Sequence, residues 1–126
     1  MDAAFAYYRH LARVLSYVES HPLDSFKLGD IAVAIGISSG RLSHLFRERL
    51  GISFSEWMTR RRIDKAIKLI QLREISTTEL AHLSGFGSYR SFERSFKKIT
   101  GTTPSNYKKN LQSQIVAGFQ GNLSHM

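Results

Sequence analysis

Residues 31–57 read IAVAIGISSGRLSHLFRERLGISFSEW, and residues 80–107 read LAHLSGFGSYRSFERSFKKITGTTPSNY. Set side by side, the two stretches are one pattern written twice. Ile31, Ala32, Gly36 and Ile37 recur 49 positions on as Leu80, Ala81, Gly85 and Phe86. Past one inserted residue, Gly87, the offset becomes 50, and Ser38, Leu42, Phe46, Gly51, Ser55 and Trp57 recur as Ser88, Phe92, Phe96, Gly101, Ser105 and Tyr107. Self-similarity at a fixed offset marks a repeated supersecondary unit.

The repeated positions have the physical logic of a helix-turn-helix, in which two short helices cross at a steep angle over a turn of a few residues. Close crossing requires small side chains, and Ala32 and Ala81 supply them in the first helix of each pair. Gly36 and Gly85 can take the left-handed conformation that ends a helix, and Ile37 and Phe86 plug the turn. Ser38 and Ser88 then stand at the N-cap of the second helix, where a hydroxyl satisfies a free backbone N–H. Any one of these residues has a bland explanation; the same set recurring in register does not.

Outward from the repeat, the periodicity predicts an all-α chain of seven helices. The first runs over 3–20, with Ala4, Tyr8, Leu11, Leu15 and Val18 on its apolar stripe, Asp2 as a cap and His21-Pro22 as its stop. The second, about 28–35, starts poorly, with Lys27 where a Ser or Thr is expected. In the third, about 39–50, an angle of 100° per residue puts Leu42, Leu45, Phe46 and Arg49 on the packed side and Gly40, His44, Arg47 and Glu48 on the other. A longer helix opens at Ser53 with a capping box to Glu56 and a staple of Ile52 on Trp57. It reaches about Leu72, roughly 30 Å at 1.5 Å per residue, near the 34 to 36 Å that separates half-sites on DNA. A plain core helix of that length is the alternative. Ser76 to Glu79 is a second capping box, opening a fifth helix to about Ser84. The sixth, about 89–99, turns Phe92, Phe96 and Ile99 inward and Arg90, Arg94, Lys97 and Lys98 outward. Thr103 caps the seventh, with Pro104 at its first position. The expected organisation is a first helix-turn-helix subdomain over 1–52, a linker helix over 53–72, a second subdomain over 73–111 and a flexible tail over 112–126.

Composition narrows the function. The chain has 126 residues, 42% of them apolar, and a net charge of +8. With no cysteine, disulfides, zinc-thiolate sites and thiol catalysis are excluded. The five histidines have no metal-ligand spacing and no nucleophile-base motif appears, so neither an enzyme nor a metal or cofactor site is expected. No apolar run approaches a membrane span and the first residues lack a signal-peptide pattern, which points to the cytoplasm, on the nucleoid. The charge is unevenly placed: residues 1–40 carry an excess of −1, residues 41–109 of +9 and residues 110–126 of 0. A basic block that coincides with the repeat reads as the footprint of a polyanion, and double-stranded DNA is the expected partner. An RNA-binding module shares the charge, but single-stranded RNA is read by stacking on exposed aromatics, and Phe46, Trp57, Phe92, Phe96 and Tyr107 all lie at core phase. A module that binds another regulator, or RNA polymerase, is the remaining alternative; the basic block opposes it as a sole role and leaves polymerase a candidate second partner.

Gly85-Phe86, Phe92-Glu93-Arg94-Ser95-Phe96-Lys97-Lys98, Gly101-Thr102-Thr103-Pro104 and Tyr107-Lys108 resemble the signature of the AraC/XylS family of bacterial transcription regulators, and the similarity covers about residues 8–110. The resemblance implies a seven-helix domain of two helix-turn-helix subdomains joined by a long helix, binding promoter DNA as activator or repressor, and as a monomer where the domain stands alone. Larger members add an effector or dimerisation domain on the N-terminal side. Carried over by position, it places base reading on Gly40, Ser43 and His44, with Arg41 beside them, and on Tyr89, Arg90, Ser91 and Arg94. The helical angles agree for His44, Arg90 and Arg94 but put Ser43 and Tyr89 at the flanks. Arg47, Arg60, Arg62, Lys97, Lys98 and Lys108 are expected at phosphates, Lys65 and Lys68 at phosphate or solvent. Glu93 is expected to pair with Lys97, and Arg61 to be structural, its stem packed and its charge paired.

Overall fold

The computed structural model describes the backbone of residues 9–124 and the side chains of residues 9–114. Seven helices are found among the described residues: α1 (Arg9–Ser20), α2 (Leu28–Ile35), α3 (Ser39–Leu50), α4 (Phe54–Leu72), α5 (Thr77–Leu83), α6 (Tyr89–Thr100) and α7 (Pro104–Ser124). The start of the first expected helix, with Asp2, Ala4 and Tyr8, lies outside the described residues. The chain divides into two compact units, 1–62 and 63–126. That division falls inside α4, whose Met58 is buried in the first unit and whose Ile63 and Ala66 are buried in the second.

In the first unit α1 packs on α2 and α2 on α3. The core is Leu11, Val14, Val18, Ile31, Ala32, Leu42, Phe46 and Met58 with their neighbours. Phe46 sits at its centre, its ring 5.3 Å from those of both Phe54 and Trp57. In the second unit α5 packs on α6 and α6 on α7, around Ile63, Ala66, Ile75, Leu80, Ala81, Phe92 and Phe96. Phe96 meets Tyr107 at 5.4 Å, fifty positions on from the contact of Phe46 with Trp57. Each fully buried aromatic or aliphatic side chain contributes about 1.5 to 3 kcal/mol, so the repeated apolar positions are the cores.

The turns repeat as closely as the cores. Gly36 has φ +80° and Gly85 φ +94°. Ile37 N–H donates to the Ala32 carbonyl at 3.1 Å and Gly36 N–H to that of Val33 at 3.2 Å; Phe86 N–H donates to Ala81 and Gly85 N–H to His82, both at 3.2 Å. These are two Schellman endings in register, which satisfy carbonyls that a helix end leaves open. One position before the second glycine, Ser84 is buried where the first unit has Ile35, and its hydroxyl donates to the Leu80 carbonyl at 2.7 Å.

One expectation is corrected here. Ile99 is 42% exposed; Thr100 is half-buried instead, its hydroxyl donating to the carbonyls of Phe96 at 2.8 Å and Thr102 at 3.0 Å. The backbone of the stretch from 112, expected as a flexible tail, is helical to Ser124. At the start of α2, Lys27 offers no side-chain acceptor, and the Asp30 carboxylate accepts from Lys27 N–H at 2.8 Å.

Candidate nucleic-acid interface

The second helix of each pair begins the same way. Ser38 Oγ accepts from Arg41 N–H at 3.2 Å, and Ser88 Oγ accepts from Ser91 N–H at 3.1 Å. Both caps have extended backbone, and Gly87 is absorbed before the second one, where φ is −148° at Ser88 against −73° at Ser38. The cap fixes where the first turn starts and thereby which side chains leave the unit. The two helices end alike too, on Gly51 and Gly101.

On α3 the outward residues are Gly40, Arg41, His44, Arg47 and Glu48, all exposed, while Ser43 and Leu45 are half-buried at the flanks. Arg49, placed by its angle on the packed side, is exposed, because the core is closed by Leu42 and Phe46. His44 Nε2 is 2.7 Å from Glu48 Oε2, and Glu48 Oε1 is 3.6 Å from Arg49 Nη2. Glu48 thus ties down one nitrogen of the ring proposed to read.

On α6, Arg90, Ser91, Glu93, Arg94, Lys97 and Lys98 are exposed, one continuous face opposite Phe92 and Phe96. Tyr89 is half-buried with its ring 6.0 Å from Phe92, so it belongs as much to the core as to the face. Glu93 and Lys97 make no ion pair among the described residues; their charges stay available.

The cations expected at phosphates separate into two kinds. Arg47, Lys97 and Lys98 project from the exposed faces of α3 and α6, and Arg60 is exposed while held at 3.3 Å from Glu56 on the first turns of α4. That helix opens on Ser53 Oγ, which accepts from Glu56 N–H at 3.1 Å. Arg62 and Lys108 are different. Arg62 is half-buried and its Nη2 donates to the Leu23 carbonyl at 2.9 Å. Burial pulls its pKa below the ordinary guanidinium value and nearby Asp24 pushes it back up. Lys108 Nζ donates to the carbonyl of Ile75, pinning α7 to the strand of chain before α5. Arg61 has its guanidinium 5.1 Å above the Trp57 ring, a cation–π contact in place of the expected charge pair.

Sequence spacing holds a signal for the carbonyl contacts of both cations. Arg62 is four residues from buried Met58 and four from buried Ala66, and Lys108 is four from buried Pro104. Each lies on the inward stripe, where a long cation must find a carbonyl.

A family model described as a helix-turn-helix domain matches residues 31–110. The chain is 34% identical over 100 residues to the arabinose operon regulatory protein of Escherichia coli, a match covering 79% of this chain and 34% of that one. This chain therefore spans about a third of that relative's length. Among solved structures, the C-terminal domain of the two-component response regulator yesN from Fusobacterium nucleatum matches with TM-score 0.73 and 28% identity, over 80% of this chain and 99% of that one. A transcriptional regulator from Chromobacterium violaceum with an AraC-type DNA-binding domain matches with TM-score 0.74 and 25% identity, over 80% and 90%.

Proposed function

Since the chain belongs to the AraC-type helix-turn-helix family of DNA-binding transcription regulators, we propose that it reads an asymmetric promoter site, setting α3 and α6 into two successive major-groove segments of one duplex. The observation that carries this reading is the pairing of identical caps with unlike faces. Ser38 and Ser88 present the first turns of α3 and α6 in the same way, and the exposed side chains that follow differ at every reading position.

In this reading Arg90 and Arg94 are the principal base readers, because a guanidinium can bond a guanine edge through two hydrogen bonds. Gly40, Arg41, Ser43 and His44 read in the first unit, with Tyr89 and Ser91 at the margin of the second. Arg47, Arg60, Lys97 and Lys98 meet phosphates, setting register without carrying sequence. The nineteen-residue α4 joins the units. One chain occupies one site.

Selection from a random duplex pool followed by footprinting tests it. Two unlike boxes about 10 bp apart, protected at one chain per duplex, are expected. A palindromic site, or two chains on the minimal site, overturns the reading. Binding through exposed aromatics, as single-stranded RNA requires, is disfavoured by the burial of Phe46, Phe92 and Phe96.

A further inference from the structure

Gly40 lies in the first turn of α3, on the exposed face of the recognition helix. Glycine serves a left-handed backbone, a close neighbour within the protein, or the close approach of another molecule. The first does not hold, since the glycines with positive φ are Gly36, Gly51, Gly85 and Gly101. The second does not hold either. A Cβ at Gly40 would meet nothing within 4 Å, whereas one at Gly29, on the side of α2 that faces α3, would come 3.8 Å from Ser39 Oγ. Glycine meanwhile weakens a helix relative to alanine, so the fold gains nothing from it.

Fifty positions on, the same place on α6 holds Arg90, long and exposed. The two recognition helices therefore offer opposite things at one register, bare backbone in one unit and a guanidinium in the other.

We infer that Gly40 is a specificity-determining residue by virtue of its missing side chain: DNA bases of the first box come up against the bare backbone of the first turn of α3. The inference rests on the DNA-reading function proposed above. It makes the first unit a close-fitting reader of groove shape and base edges, with Arg41 and His44 exposed beside it, and the second a long-armed reader of guanine.

Gly40→Ala and Gly40→Arg in the full chain test it, with unfolding temperature and affinity measured at fixed salt on the selected duplex and on one whose first box is scrambled. Gly40→Ala should raise the unfolding temperature by a few degrees, on the order expected from helix propensity. It should also lower affinity for the selected duplex by on the order of tenfold while leaving the scrambled duplex unchanged. Gly40→Arg should shift the first-box preference in a repeated selection. Stabilisation with undiminished affinity for the selected duplex, or an equal loss on both duplexes, overturns the inference and leaves the DNA reading standing. A parent chain that does not distinguish the two duplexes overturns both.

Discussion

Arg62 and Arg94 carry the same charge, thirty-two positions apart, and burial separates their tasks. Arg94 is exposed on the face of α6; Arg94→Ala should cost about 1 to 3 kcal/mol on the selected site and relax preference at one or two base pairs. His44→Ala should do less, because Nε2 is already engaged by Glu48 at 2.7 Å, and a binding selection on both variants ranks them. Affinity loss without any change of base preference in Arg94→Ala would make it a phosphate residue. Arg62→Ala should instead reduce unfolding free energy by about 0.5 to 1.5 kcal/mol, the net contribution of a part-buried hydrogen bond, while the salt slope of DNA binding stays as it was. Denaturant unfolding and a salt titration on the same protein settle that case: unchanged stability with a shallower slope would return Arg62 to the phosphates. What sequence reading captured at this scale was angle. It put Arg90 and Arg94 on the outward face and Phe92 and Phe96 inside, whereas the carbonyl partners of half-buried Arg62 and Lys108 are visible only in the fold. Angle alone also misses what closes a helix end: Ile99 loses the inward place to Thr100 because a hydroxyl there satisfies the carbonyls of Phe96 and Thr102.

At the scale of elements, legibility follows the caps. Ser38, Ser53, Ser76, Ser88 and Thr103 each accept from the N–H three residues on, at 3.1 or 3.2 Å, and all five helix starts were readable because the capping residue is chemically distinctive. The far end of α7 was not. Its sequence from Gln112 is polar and glycine-containing, composition that reads as tail, although the backbone there is helical to Ser124. The caps of α3 and α6 also bear on function, since each sets the first turn of a reading face. Ser38→Ala and Ser88→Ala should each cost about 0.5 to 2 kcal/mol and degrade the preference of one box only, the first for Ser38 and the second for Ser88. Thermal unfolding gives the first quantity and selection the second. A cap variant that loses stability while both boxes keep their preference would show that packing of Leu42 and Phe46, or of Phe92 and Phe96, suffices to aim the helix.

The whole molecule places its charge where its faces are. The excess is −1 before residue 41, +9 from 41 to 109 and 0 thereafter, and the structure sorts that block further. Arg61 stacks on Trp57, Arg62 and Lys108 bond to carbonyls, and Arg47, Arg90, Arg94, Lys97 and Lys98 remain outward on α3 and α6. The count of phosphates neutralised should therefore be well below the number of cations in the sequence. Each neutralised phosphate releases condensed counterions and steepens the fall of binding with salt by about 0.9 in logarithmic slope. With about four to six contacts, affinity for duplex DNA should drop by roughly 10² to 10³ between about 50 and 200 mM salt. Lys98→Ala should reduce that slope by about one and weaken all duplexes alike, which separates it from Arg94→Ala even where the two lose similar affinity. Titrations on the selected duplex, a scrambled duplex and single-stranded RNA make the measurement. A flat salt response, or RNA bound as well as duplex, would mean that the basic block serves something other than the DNA backbone, and the two exposed helix faces would need another partner.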